Sequence, residues 1–153
     1  MANLAKWNVP SYTGAAILST AEIQTLANNT LSCRSALIYN SSSTAQLYGA
    51  FELLAWIGTG TCTPYCTLYG LPYLDLVNGP STNAEEALVL GTFPWTTATS
   101  TTAGAQKRIP LLNVLLPPAD FAVALKNVTG QAFSSELGSN QLRYWKYDVT
   151  GNG

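Results

Sequence analysis

Apolar and polar residues alternate over short stretches of this chain. Clusters of Gly, Pro, Ser, Thr and Asn interrupt them at roughly 8–15-residue intervals, the pattern of strands joined by turns. The longest stretch runs from Leu47 to Ile57. It places Leu47, Gly49, Phe51, Leu53, Ala55 and Ile57 on one face and Tyr48, Ala50, Glu52, Leu54 and Trp56 on the other. Large apolar groups stand on both faces, so both are expected to be covered, a neighbouring subunit being the candidate for the second cover. A helix is the rival reading, but the aromatic content and the flanking Gly58-Thr-Gly60 favour a strand.

Further strands are predicted at Ser35–Tyr39, Tyr65–Leu71 and Ala87–Phe93, with Asn78-Gly-Pro-Ser81 as the turn before the last of these. Ile109–Leu116 is a continuous apolar run and reads as a buried strand ending at Pro117-Pro118. Asp120–Asn127 alternates Phe121, Val123 and Leu125 against Ala122, Ala124 and Lys126, and Val128-Thr-Gly-Gln131 turns it around. Gln141–Val149 alternates again. Helix signals are confined to a capping box at Ser19-Thr-Ala-Glu22 and one turn over Ser81–Glu86. Thr96–Ala105 is small and polar, a loop or an extended edge. Seven or so strands in one domain predict an all-β sandwich, jelly roll or barrel.

Residues 1–16 have no periodicity yet contain Leu4, Trp7, Val9 and Tyr12. A tail rarely carries Trp without somewhere to bury it. Two readings stay open: the segment folds back over the domain formed by residues 17–153, or it is an arm that docks on another chain.

Composition narrows the function. The 153 residues carry a net charge of −1, with only 10% charged and 47% apolar. That excludes a solvated disordered chain and gives no electrostatic case for nucleic acid, whose phosphates need clustered Lys and Arg. There is no histidine, so the Ser-His-Asp, Cys-His and His-Glu-x-x-His chemistries cannot be built from this chain alone. No run approaches the roughly 18–20 apolar residues of a membrane-spanning helix. Met1–Ser11 lacks the charged end and apolar run of a signal peptide, so the mature chain is expected to begin at or near Met1.

Few residues carry candidate chemistry. Cys62 and Cys66 are spaced to allow a disulfide across a turn, but a cytosolic product more often keeps both reduced, and a four-ligand metal site lacks a fourth donor. Asp75, Glu85 and Glu86 form a hard-cation set only if the fold gathers them; a solvated loop is the plainer reading. Tyr65, Tyr69, Tyr73, Trp95, Trp145 and Tyr147 are candidates for a sugar-binding face, against the commoner use of strand aromatics as core. Asn28, Asn40 and Asn127 match the glycosylation triplet, which matters only in a secreted eukaryotic protein. Glu52 and Lys126 sit in apolar strands; an ion pair between them stays open, and outward-facing positions are preferred. No enzyme activity, cofactor or metal is expected.

Three stretches carry a resemblance. They are Leu37-Ile-Tyr-Asn-Ser-Ser-Ser-Thr-Ala-Gln46, Leu116-Pro-Pro-Ala-Asp-Phe-Ala-Val-Ala-Leu-Lys-Asn-Val-Thr-Gly-Gln-Ala-Phe133 and Asn140-Gln-Leu-Arg-Tyr-Trp-Lys-Tyr147. Together they resemble small structural proteins of tailed bacteriophages, over residues 35–148 with the middle poorly matched. The second stretch is the most specific: a Pro-Pro turn feeding a strand, then Lys-Asn-x-Thr-Gly-Gln-Ala. The resemblance implies a jelly-roll cement or decoration protein that binds the outer surface of a phage head as a homotrimer, contacting the major capsid protein. It implies no catalytic residue. The expected location is the virion, on the capsid surface, after synthesis in the host cytoplasm. The candidate contact residues, toward capsid or neighbouring subunit, are Leu4, Trp7, Val9 and Tyr12 of the arm and Tyr48, Leu54 and Trp56 of the long strand. A tail or neck connector subunit and a carbohydrate-binding module of a virion are the alternatives.

Overall fold

The computed structural model describes residues 5–8, 15–41, 45–56, 60–61, 65–73, 87–94, 99–100, 107–135 and 140–151. Among the described residues, ten strands and one helical turn are formed: β1 (Ala5–Asn8), β2 (Ala15–Leu18), α1 (Thr20–Ile23), β3 (Tyr48–Ala55), β4 (Gly60–Thr61), β5 (Tyr65–Pro72), β6 (Leu88–Pro94), β7 (Thr99–Ser100), β8 (Lys107–Leu115), β9 (Phe121–Asn127) and β10 (Gln141–Gly151). One antiparallel sheet has the order β1-β10-β3-β8, with β2 also on β10; the other has the order β6-β5-β9; β4 and β7 form a short separate ladder. Half of the capping box is made: Glu22 Oε2 accepts the Ser19 N–H at 2.6 Å as α1 begins, while the Glu22 N–H donates to the Ser19 carbonyl at 3.1 Å.

The smaller sheet gains a fourth, irregular member. Residues 29–38 run along β9 with bridges Leu31–Lys126 and Ile38–Phe121. The N–H groups of Asn29, Ser32, Ser35 and Ile38 donate to the carbonyls of Asn127, Leu125, Val123 and Phe121 at 2.7–2.8 Å. Three residues of the segment therefore span two of β9. An ordinary strand would return a carbonyl for each N–H of β9. Here the hydroxyls of Ser32 and Ser35 accept the Leu125 and Val123 N–H groups instead, each at 3.0 Å. The strand predicted at Ser35–Tyr39 is thus part of a longer, three-to-two edge. Ser32→Ala or Ser35→Ala would each leave a buried N–H without an acceptor, at about 1–3 kcal/mol. Urea unfolding should show that loss, with faster hydrogen exchange at Leu125 or Val123; a change below about 0.5 kcal/mol would refute the hydroxyl's role.

Counting β2, this segment, β3, β5, β6, β8, β9 and β10 as eight successive strands, the larger sheet runs first, eighth, third, sixth. The smaller runs second, seventh, fourth, fifth. That is the connectivity of a jelly roll. The core lies between the sheets: Phe51, Leu53 and Ala55 of β3, Leu142 of β10, Cys66 and Leu68 of β5, Phe93 of β6, and Phe121, Val123 and Leu125 of β9. Tyr144 packs against it, its ring centroid 4.9 Å from that of Phe51. The sheets approach most closely where β6 crosses β8. A Cβ at Gly91 would lie 2.8 Å from Leu111 Cδ2, which is why glycine stands there.

The outer face of β3 is covered in part by the chain itself, while Tyr48 and Trp56 on that face are half-buried. Ala50 lies opposite Trp145, and Leu54 between Gln141 and Arg108; both are buried within the single chain. The expected burial of Ile109–Leu116 is corrected. Ile109, Val114 and Leu116 are buried, but Leu112 and Leu115 are exposed, because β8 is the sheet's edge and only one of its faces meets the core. The N-terminal segment does contain strands: β1 pairs Ala5–Asn8 with Gly151–Asp148, and β2 pairs with Tyr144–Leu142.

Candidate functional site

The polar residues that look most like chemistry prove to be structural. Asn127 is fully buried. Its Nδ2 donates to the carbonyls of Leu26 and Gln131 at 2.8 and 2.7 Å, and its Oδ1 accepts the N–H and hydroxyl of Thr129 at 3.0 and 2.7 Å. Gly130 sits at φ 86°, a conformation that suits glycine, and its N–H donates to Asn28 Oδ1 at 2.8 Å. The Lys-Asn-x-Thr-Gly-Gln motif is therefore a turn whose side chains satisfy its own backbone.

Asn40 does the same at the other end of β9. Its Nδ2 donates to the carbonyls of Gln46 and Pro117, and its Oδ1 accepts the Gln46 N–H. Asn140 donates to the Ser134 carbonyl and accepts the Trp56 N–H. Burial of Asn40 and Asn127 removes two of the three glycosylation triplets as acceptors in the folded chain; Asn28 remains exposed.

Asp120 Oδ1 accepts the N–H of Asn40 at 2.6 Å and of Ser41 at 2.8 Å. The Asn40 N–H, then Ser41, and more weakly the Lys146 ammonium hold this carboxyl below its ordinary range. A carboxylate depressed in the folded state stabilises it fully above the ordinary pKa of about 4, and the benefit goes as pH falls through the folded value. The stability gap between the native chain and Asp120→Asn, measured by urea unfolding, should therefore be constant near neutral pH and shrink below about pH 4. A gap that stays unchanged to pH 3 would contradict it.

No catalytic or metal constellation is assembled among the described residues: no group of three or more potential metal ligands occurs. Asp75, Glu85, Glu86, Cys62 and Trp95 lie outside the described residues, as do the turns placed at Asn78–Ser81 and Ser81–Glu86. Cys33 is exposed, but its partial burial and then the Glu22 carboxylate raise its thiol pKa, the wrong direction for a nucleophile. Glu52 does not meet Lys126, which stands on the other sheet. It lies 3.7 Å from Arg108 and 3.8 Å from Arg143 on the strands either side, a loose pair of contacts worth under about 1 kcal/mol. The proposed sugar-facing aromatics are divided: Tyr65 and Tyr69 stand on β5 of the smaller sheet, Trp145 and Tyr147 on β10 of the larger. Tyr147 is buried, its hydroxyl donating to Asn113 Oδ1 at 2.7 Å and accepting the Asn113 N–H.

The expected contact residues are scattered as well. Leu4, Val9 and Tyr12 lie outside the described residues, and Trp7 is placed in β1, opposite Val149. Tyr48 is half-buried and stacked on Tyr147. Trp56 is half-buried. Leu54 is only 3% exposed and so is not available to another chain.

The apolar surface lies elsewhere. Leu88 and Val89 of β6 are 53% and 62% exposed, and Leu112 and Leu115 of β8 are 57% and 63% exposed. Val89 pairs with Tyr69 on the outer face of the smaller sheet, and Leu115 pairs with Tyr48 on the outer face of the larger. Leu47 is half exposed, and its carbonyl accepts the Leu116 N–H. Sequence reasoning missed these four residues. The available signal was Pro110 within β8, since proline in a sheet is confined to edge strands. No helix among the described residues is long and apolar enough to cross a membrane. No protein-family model, no curated protein and no solved structure matches the chain.

Proposed function

We propose that the chain is a structural virion protein, a cement or decoration protein that binds the outer surface of a phage head and stabilises contacts between capsomers as a trimer. The observation that carries this reading is the set of large apolar side chains left exposed on the two edge strands of a jelly roll, Leu88 and Val89 on one and Leu112 and Leu115 on the other. The resemblance in Leu116–Phe133 points the same way. In this chain, that stretch forms β9 and its self-satisfied turn, which is scaffold and not a site. Capsid cement acts by many modest contacts repeated around a shell, so avidity does the work of single-site affinity. Low charge suits it, since an unpaired charge buried at an interface is penalised. The separation of the aromatics onto two sheets counts against the sugar-binding alternative.

The test is co-sedimentation of the recombinant chain with shells of the virus that encodes it, expanded and unexpanded. Saturable binding at the copy number of lattice three-fold positions is the expected result. Failure to bind either shell overturns the proposal.

A further inference from the structure

Charge is spread unevenly along the chain and over the fold. Residues 35–106 contain no Lys or Arg but four carboxylates, Glu52, Asp75, Glu85 and Glu86. Of these, Glu52 stands on the outer face of the larger sheet, directly opposite Arg143 and diagonal to Arg108, which pairs with Leu54. The Arg143 and Arg108 guanidiniums lie 3.8 and 3.7 Å from its carboxylate. Two positive groups therefore share one negative group, and little of their hydrogen-bonding capacity is used. Arg143 donates once, to Gln141 Oε1 at 3.3 Å. Arg108, its side chain 63% exposed, makes no hydrogen bond among the described residues. A guanidinium offers five donors in a fork that matches a carboxylate.

We infer that this arginine pair receives the acidic segment 74–86 of a second copy of the chain, so that copies join head to tail. The inference deepens the proposed assembly by naming the contact within it, and rests on that reading for the number of copies.

The complementary charge is in the chain itself, and its placement selects a neighbour's segment over the chain's own. Residues 74–86 lie outside the described residues; they carry Asp75, Glu85 and Glu86 and no base. The residues that flank them are placed. Tyr73 and Ala87 both pack on Leu71, Ala122 and Ala124, on the outer face of the smaller sheet. Asp75 is two residues from Tyr73, and Glu85 and Glu86 are two and one from Ala87. All three are thus tethered within about 7 Å of those anchors.

The anchors sit at the Asp120 end of the sandwich, where the Tyr73 N–H donates to the Asp120 carbonyl at 2.7 Å. β3 begins at the same end, since Asp120 holds Asn40 and Asn40 holds Gln46. Glu52 lies four residues along β3 from Tyr48, and the Leu54–Arg108 pair six, roughly 13 and 20 Å from that end. The arginines also face away on the other sheet, about 10 Å behind the first. A tether of about 7 Å does not span that path, so the three carboxylates cannot reach the arginines of their own chain. The basic side chain described at the acidic end, Lys146, already donates to the Tyr39 carbonyl at 2.8 Å. Each copy therefore presents acid at one end of one face and an under-paired arginine pair toward the other end of the opposite face. Contact between two different patches of identical chains runs head to tail and closes as a ring, the symmetry a trimer requires.

The experiment is sedimentation velocity on the full chain over a concentration series, in about 0.01 M and 1 M salt, where charges are screened beyond roughly 30 and 3 Å. Expected is a trimer at low salt that dissociates at high salt. Arg108→Glu/Arg143→Glu and Glu85→Lys/Glu86→Lys should each weaken association on the order of tenfold or more, since each turns attraction into repulsion. A chain carrying all four substitutions should recover the trimer, because the two patches have then exchanged sign. A folding defect in either pair does not produce that recovery. Arg34→Glu, at an exposed position on the 29–38 segment, should associate like the native chain. A native chain that stays monomeric or stops at two copies overturns the inference. So does a trimer indifferent to salt and to both pairs, or a four-substitution chain that folds and stays apart. Shell co-sedimentation run in parallel separates the two claims. A salt-sensitive, arginine-dependent trimer that binds no shell sinks the decoration reading alone. Shell binding by chains whose association ignores these substitutions sinks this inference alone.

Discussion

Asn127→Ala is expected to cost about 3–5 kcal/mol of folding stability, a large part of the 5–15 kcal/mol that holds a typical domain. The side chain has no exposure and fills all of its hydrogen-bonding capacity, giving two N–H bonds to the Leu26 and Gln131 carbonyls and accepting twice from Thr129. Truncation leaves these groups in a space that water does not reach, where each orphan costs about 1–3 kcal/mol. Asn127→Asp is the sharper test. It keeps the shape but replaces the donating amide with an anionic oxygen that faces two carbonyls. It should be at least as damaging at neutral pH, since burying an unpaired charge is worse than burying a hole. Asn28→Ala, in the same turn but exposed, removes only the acceptor of the Gly130 N–H and should cost less than about 1 kcal/mol. Urea midpoints for the three variants decide it. If Asn127→Asp falls within about 1 kcal/mol of the native chain, the turn is not held as described.

The same residue shows where the sequence was readable and where it was not. Asn127 lies in a glycosylation triplet and in the Lys-Asn-x-Thr-Gly-Gln motif, and neither says that the side chain faces inward. Triplet matching records identity and spacing, whereas burial depends on a partner about a hundred residues away, Leu26. The six strands β3, β5, β6, β8, β9 and β10 were legible because each has seven or more residues, long enough for a period of two to register. In β3 and β9 the alternation grouped Phe51 with Leu53 and Phe121 with Val123 and Leu125, all fully buried, but Ala50, Leu54, Ala122 and Ala124 on the opposite faces are buried as well. β1 and β2, at four residues each, are too short to show a period.

The 29–38 edge escaped for a different reason. Its ladder positions fall at 29, 32, 35 and 38, a spacing of three that neither strand nor helix templates seek, and its second set of acceptors is serine hydroxyls. Leu112 and Leu115 were read as core because a continuous apolar run implies burial on both faces. That inference fails at an edge strand, and strand order is not written in local pattern. The candidate contact surface was therefore the least legible part. Of the residues expected to form it, Leu54 proved buried, while exposed Leu112 and Leu115 stood on the strand assigned to the interior.

Removing residues 1–14 is expected to abolish binding to shells while shifting the melting temperature by only a few degrees. The boundary follows from the register. Ala15 already pairs with Tyr144 and Leu18 is fully buried, so a longer deletion would cut the jelly roll itself. β1 is different. It pairs only with the Asp148–Gly151 end of β10, beyond Tyr147, where the pairing of β10 with β3 stops. The two chain ends thus form a two-stranded ribbon outside the main sheet, and an isolated pair of short strands is marginally stable in water. Its loss takes no strand from the core, so the stability change should stay near 1 kcal/mol, or about 2–4 °C for a domain of this size. Yet the segment carries Leu4, Trp7, Val9 and Tyr12, more apolar surface than a four-residue strand needs. On the proposed function these are the side chains expected to meet the shell. Trp7→Ala and Tyr12→Ala in the intact chain should each weaken co-sedimentation, as truncation of aromatic anchors does at protein interfaces. A truncated protein that still saturates shells would show that the segment only covers its own domain, and would move the capsid contact elsewhere on the body.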